Sequence, residues 1–168
     1  TISSSTKVES PMNHVLYAQW TPKTYTVTLD TQGSATSSLT RTVTFGAGYT
    51  GIPSPSRLGY TFLGWSLKAS GGSIINSSTI VSTASDHKLY AQWKANTYLI
   101  RLHGNGVPYT ATKPVTYGKA YGTLPVPKRD YYDFVGWFTK KEGGVKVTES
   151  TVMNSTFDMD YYAHWTEK

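Results

Sequence analysis

The sequence predicts a mostly β protein, α+β at most, made of small repeats in tandem and arranged end to end. Three observations lead there. The string Gly59-Tyr60-Thr61-Phe62-Leu63-Gly64-Trp65 returns 72 residues later as Tyr131-Tyr132-Asp133-Phe134-Val135-Gly136-Trp137. A second string, Leu89-Tyr90-Ala91-Gln92-Trp93, returns at the same offset as Tyr161-Tyr162-Ala163-His164-Trp165, and Leu16-Tyr17-Ala18-Gln19-Trp20 precedes it by 73. Between these strings, apolar residues fall at every second position. Fixed aromatics at such a period mark an array of small domains, and alternation marks strands.

The repeats divide the 168 residues into three parts. Residues 1–20 read as the terminal strand of an upstream repeat, 21–93 as repeat 1 and 94–168 as repeat 2. Residues 6–20 match 79–93 without a gap, so the chain opens partway through a repeat, as a piece of a longer protein would. A lone aromatic strand has an unpaired edge, and it is expected to pack on the following repeat or on a neighbouring molecule. Units of about 70 residues lie near the lower limit for a self-sufficient core. With no cysteine to staple them, the 14% of aromatic residues is the predicted substitute.

In repeat 1, Tyr25-Thr26-Val27-Thr28-Leu29-Asp30 alternates as a strand with one face buried, and Thr31-Gln32-Gly33 signals a turn. Thr42-Val43-Thr44-Phe45-Gly46 makes the return strand. Repeat 2 copies this with Tyr98, Ile100 and Leu102, the turn Gly104-Asn105-Gly106, and Val115-Thr116-Tyr117-Gly118. Ile52-Pro53-Ser54-Pro55, matched by Leu124-Pro125-Val126-Pro127, lacks two backbone donors and predicts an extended crossover. The Gly-Trp strings that follow are apolar on nearly every residue and read as strands covered on both sides. Gly71-Gly72 and Gly143-Gly144 mark turns, and the Ser, Thr, Ile and Val of residues 73–85 disfavour a helix. Residues 89–93 close repeat 1, and Lys94-Ala95-Asn96 is a connector short enough to restrict swinging.

The net charge is +6. Residues 21–93 hold five Lys/Arg against two Asp/Glu, and residues 94–165 hold nine against six, so each repeat is +3. No run of five like charges occurs, which argues against a nucleic-acid arm. The diffuse positive surface suits either plain solubility or weak attraction to anionic polymers. No 18-residue apolar run exists, so no transmembrane helix and no membrane insertion are predicted, and residues 1–6 lack the layout of a signal peptide.

The alternating hairpin, the Pro-x-Pro crossover, the string from Gly59 to Trp65 and the string from Leu89 to Trp93 together resemble the Listeria–Bacteroides repeat. That family takes in the B repeat of the listerial invasion protein internalin B. The resemblance implies β-grasp-like repeats in tandem on secreted or wall-anchored bacterial proteins, often adhesins. It also implies no catalysis and no cofactor, and a role as spacer or auxiliary host-contact module. Two departures stand out. Tyr131 replaces the usual glycine kept at Gly59, and His103-Gly104-Asn105-Gly106 replaces the turn that Asp30-Thr31-Gln32-Gly33 nearly keeps.

Chemistry-bearing residues are sparse. His14, His87, His103 and His164 have no metal-ligand spacing and read as surface histidines, so no metal site is predicted. Asp86 and Asp158 precede the closing strands and read as turn caps, while Asp130 and Asp133 offset Lys128 and Arg129. No phosphate loop, nucleophile elbow or dinucleotide fingerprint occurs, and no catalytic residue is assigned. The five tryptophans recur at equivalent places and are expected in the core.

Tyr109, Tyr131, Phe138 and Phe157 have no aromatic counterpart in repeat 1. Near them in sequence stand Lys128, Arg129, Lys140 and Lys141, a mixture suited to gripping a glycan or an acidic protein surface. Packing between repeats is the alternative reading of the same residues. The leading expectation is therefore a non-catalytic, semi-rigid stalk on a bacterial surface protein, with weak host or wall contact. Its partners would be a host surface protein or glycan, an anionic cell-wall polymer, and the upstream and downstream repeats. The rival is a dedicated glycan or anionic-polymer module in repeat 2, which should gather Lys128, Tyr131, Phe138 and Lys140 around one concavity.

Overall fold

Each stretch of period-two alternation in the two repeats gives a strand, although the return strands end at Thr44 and Thr116, and Phe45-Gly46 and Tyr117-Gly118 enter turns. The computed structural model describes residues 1–9, 11–35 and 37–168, and among these it contains nine strands and no helix. Repeat 1 holds β1 (Thr24–Asp30), β2 (Leu39–Thr44), β3 (Tyr60–Ser66) and β4 (His87–Ala95). Repeat 2 holds β5 (Thr97–His103), β6 (Thr110–Thr116), β7 (Tyr132–Phe138), β8 (Lys146–Val147) and β9 (Met159–Glu167). They make two sheets, ordered β2-β1-β4-β3 and β6-β5-β9-β7-β8. The arrangement is mostly β and tandem, each sheet β-grasp-like.

At the centre of each sheet the first and last strands run parallel: Val27 lies opposite His87 and Asp30 opposite Tyr90, with Ile100 opposite Met159 and His103 opposite Tyr162 in repeat 2. A parallel pair needs a long crossover. Here an extended proline segment and an antiparallel strand supply it. The indole of Trp65 donates to Pro53 O at 2.8 Å, and Trp137 donates to Pro125 O at the same distance, tying each crossover to its core.

Val27, Leu29, Trp65, Val81 and Leu89 centre the first core; Ile100, Leu102, Trp137, Met153 and Tyr161 centre the second. Phe62 meets Trp65 and Trp93 edge-on at 5.6 and 5.3 Å, and Phe134 meets Trp137 and Trp165 at 5.4 and 5.6 Å. Each large ring removes roughly 150–250 Å² from water, which compensates for small size.

The Gly-Trp strands are not covered on both sides, as their composition suggests. Leu63 is 49% and Val135 40% exposed. The register shifts between Phe62 and Gly64, and between Phe134 and Gly136, where a bulge adds one residue. The bulge puts Phe62 and Trp65, three apart, on one face; regular alternation would place them on opposite faces. Gly64 and Gly136 take φ of 134° and 148° there, and a Cβ would strike Ile74 and Lys146 respectively.

Residues 1–20 form no strand among those described, although their last residues repeat the sequence of β4 and β9. Trp20 is 88% exposed, so the expectation of five core tryptophans holds for four. Beside β4 lie β1 and β3, and residues 11–20 have no such paired neighbours. A strand lacking neighbours gains neither ladder bonds nor burial.

Lys94 and Ala95 belong to β4, which leaves Asn96 as the whole connector. Its N–H donates to Gly59 O and its carbonyl accepts from Tyr117 N, both at 2.9 Å. Its side chain accepts from Thr61 Oγ1 at 2.6 Å. One residue therefore bonds to both repeats.

Candidate functional site

The side chains that set repeat 2 apart lie on four connecting segments and, for Phe138, at the end of β7. The β5–β6 turn is held as in repeat 1. Gln32 and Asn105 sit at φ of 49° and 46°. Gln32 Nε2 donates to Ala91 O at 2.8 Å and Asn105 Nδ2 to Ala163 O at 3.0 Å. The carbonyls beside them accept the indoles of the closing strands, Trp93 to Thr31 and Trp165 to Gly104. Different turn sequences thus close the same way.

Lys128, Arg129 and Tyr131 come together. They line a concavity of about 640 Å³ with Asp130, Asp133 and Lys168. Arg129 lies 3.7 Å over the ring of Tyr132, as Arg57 lies 3.9 Å over Tyr60 in repeat 1. Tyr131 is 84% exposed. Three basic side chains, Lys128, Arg129 and Lys168, stand against two acidic ones, Asp130 and Asp133, so the hollow is weakly positive.

Lys141 reaches two other hollows. One, of about 330 Å³, it shares with Arg129, Asn105, Glu142 and His164; the other, of about 450 Å³, with His103, Tyr109 and Tyr162. Tyr109 turns mostly inward, its ring 6.1 Å from that of Trp137. Phe138 and Lys140 line none of the three. Phe138 stacks on His164 at 3.9 Å and 9°, and the Lys140 carbonyl accepts from His164 Nε2 at 2.9 Å. Phe157 is 77% exposed and lies outside all three hollows. The single cluster of Lys128, Tyr131, Phe138 and Lys140 does not form.

The histidines differ from their sequence reading. Only His14 is exposed; His87, His103 and His164 are half-buried. His103 Nε2 lies 2.7 Å from Asp160 Oδ1 and stacks on Tyr162 at 5.1 Å, with Lys141 Nζ 5.9 Å above that ring. His103 and Tyr162 pair across the parallel strands, a neighbourhood visible only once the β5–β9 register is known. Among the described residues no group of three or more His, Asp or Glu comes together to hold a metal.

Asp86 and Asp158 are not local turn caps. Asp86 Oδ1 accepts from Thr26 N at 2.8 Å, and Asp158 Oδ1 from Leu99 N at 2.9 Å, each across the sheet. They satisfy donors at the start of the parallel pair. Asp158 also takes Arg101 Nη2 at 2.6 Å, a contact repeat 1 lacks because Thr28 stands at that place.

The Listeria-Bacteroides repeat domain model matches residues 25–92 and again residues 98–164. Internalin H of Listeria monocytogenes serovar 1/2a is 32% identical over 145 residues, which cover 85% of this chain and 25% of that protein. A protein of Evansella cellulosilytica carried under a membrane-protein name is 27% identical over 156 residues, 91% of this chain and 23% of its own length. A second Evansella protein, under a Gly-rich membrane-protein name, is 25% identical over 155 residues, 91% of this chain and 17% of its own. The chain spans at most a quarter of the relatives it matches.

Proposed function

This chain belongs to the Listeria-Bacteroides repeat family, and on that premise we propose that it is a non-catalytic repeat segment of a bacterial cell-surface protein, adhesin-type and extracellular, acting as a semi-rigid spacer. The observation that carries the reading is the joint. A single residue, Asn96, links the sheets and bonds on both sides, so the repeats hold a defined relation instead of swinging freely. The membrane-protein names of the Evansella relatives support a place at the cell surface.

A second reading is supported by Lys128, Arg129 and the exposed Tyr131 around one hollow: weak contact with a host glycan or an anionic cell-wall polymer. The two separate cleanly. In the whole surface protein, replacing this segment by an unrelated rod of equal length should preserve display and adhesion. Loss of adhesion on that exchange sinks the spacer reading. An array of glycans and anionic wall polymers probed with the chain, and with Tyr131→Ala, tests the second. Binding that is abolished by the substitution would favour it.

A further inference from the structure

We infer that neighbouring repeats dock by a ring seated in a glycine notch, and that the residue at position 59, or at its counterpart 131, decides which ends can accept it. The partner so recognised is the Gly-Tyr edge of another repeat of this family.

The lock is seen once in full. Tyr117, just past β6, lays its ring against Gly59; a Cβ on that glycine would come within 2.3 Å of the ring Cγ. Tyr60 packs its ring edge-on to Tyr117 at 5.7 Å and 76°. The contact atoms belong to the base of the Tyr117 ring, which cannot move aside without moving the whole side chain. Gly59 has φ of 75°, but backbone conformation is not what demands glycine, because Tyr131 holds φ of 64° at the matching place. Close approach of the ring is the demand.

Repeat 2 rebuilds the backbone bond and the stacked arginine of the receiving edge but not the notch, and Asp133 beside Lys168 stands where Thr61 bonds Asn96 in repeat 1. Lys168 N donates to Tyr131 O at 3.1 Å, as Asn96 N donates to Gly59 O at 2.9 Å. The Arg129–Tyr132 stack copies Arg57–Tyr60. The Tyr131 side chain then stands where an incoming ring would sit. At the opposite end, Phe45 copies Tyr117: its N–H donates to Lys23 O at 2.9 Å, as Tyr117 N donates to Asn96 O. Phe45 is 42% exposed. Phe45 is thus presented for a glycine edge, while the edge at Tyr131 refuses a ring. This holds whether the segment serves as a spacer or as a binding module.

Residual dipolar couplings on the full 168-residue chain test the lock. The native chain should fit one alignment tensor; Gly59→Tyr should require two, with the core signals of Val27 and Leu89 unmoved. If Gly59→Tyr keeps a single tensor, the lock is wrong. A second arm decides even should that variant fail to fold. Extend the chain after Glu167 with a further copy of residues 96–168. The added repeat should align independently behind Tyr131 and join the common tensor in Tyr131→Gly. Joining already behind Tyr131, or failing to join behind glycine, overturns the assignment. In a chain carrying a copy of residues 21–95 in place of 1–22, the new repeat should share the tensor and Phe45→Ala should release it; a release-free Phe45→Ala would remove the ring's role.

Discussion

Repeat 1 and repeat 2 share four strands in the same order, repeat 2 adding the short β8 at one edge, yet they close one interior position by different chemistry. In repeat 1 the hydroxyl of Tyr49 meets His87 Nε2 at 2.9 Å. In repeat 2 the matching Tyr121 meets the hydroxyl of Tyr161, which stands where repeat 1 has Leu89. Either partner satisfies the buried hydroxyl, and no buried side-chain N or O among the described residues lacks a hydrogen bond. The comparison teaches that the frame depends on rings, bulge glycines and indole-to-carbonyl bonds. The polar closure and the outer face are free to change.

The largest test of that comparison lies in the cores. Trp65→Ala should cost repeat 1 about 3–5 kcal/mol, and Trp137→Ala the same in repeat 2. Each should melt its own repeat first, splitting the calorimetric transition in two; a single shared transition would mean one cooperative core.

Alkaline pH sharpens the difference between the two interiors. Burial, and then the bond to Tyr121, hold the Tyr161 phenol above its ordinary range; burial alone raises Tyr49. A phenol whose folded pKa is raised binds its proton more tightly in the folded state. Its stabilisation is complete below the unfolded value of about 10 and is lost as pH climbs beyond it. Repeat 2 should therefore weaken above that pH by up to about 1.4 kcal/mol per pH unit for this group. Denaturant titrations read by repeat-specific NMR signals measure the slope. In the double variant Tyr121→Phe, Tyr161→Leu it should flatten in repeat 2 and persist in repeat 1.

Two smaller effects follow from single side chains. Tyr131→Gly should relieve a left-handed backbone position and stabilise repeat 2 by about 1 kcal/mol, or about 4–8 °C in Tm. No rise in Tm would mean the turn stores no strain. Asp158→Asn should cost under about 1 kcal/mol through its half-exposed pair with Arg101 and should remove a salt dependence. Asp86→Asn, with no arginine beside it, should show no such salt dependence.

Much of this architecture was legible in the chain. Alternation in residues 25–30 and 98–102 marked the central strands, Pro53 and Pro55 marked the crossover, and the repeated indoles marked the two cores. Three features were hidden because they depend on partners far away in sequence. The bulge at Leu63 resets which residues share a face, and its only sign in sequence is a glycine. Residues 16–20 spell a strand, but spelling conveys propensity and not the neighbours a strand needs. Asp86 looks like a turn residue, while the donor it satisfies lies 60 positions earlier. The candidate site divides likewise. Lys128, Arg129 and Tyr131 meet because they adjoin in sequence before β7, whereas Phe138, at the far end of that strand, stacks on His164 and lines neither hollow that Arg129 lines.

The parallel run of β1 beside β4 sets how force passes through the chain. A pull that drags Thr24 one way and Ala95 the other slides these strands past each other lengthwise. The rungs from Val27–His87 to Asp30–Tyr90 then share the load and must give way together, and β5 with β9 repeats the geometry. Under tension, survival is set by the height of the unfolding barrier and not by equilibrium stability. Each sheet therefore has the geometry of a shear clamp against a pull on its two ends.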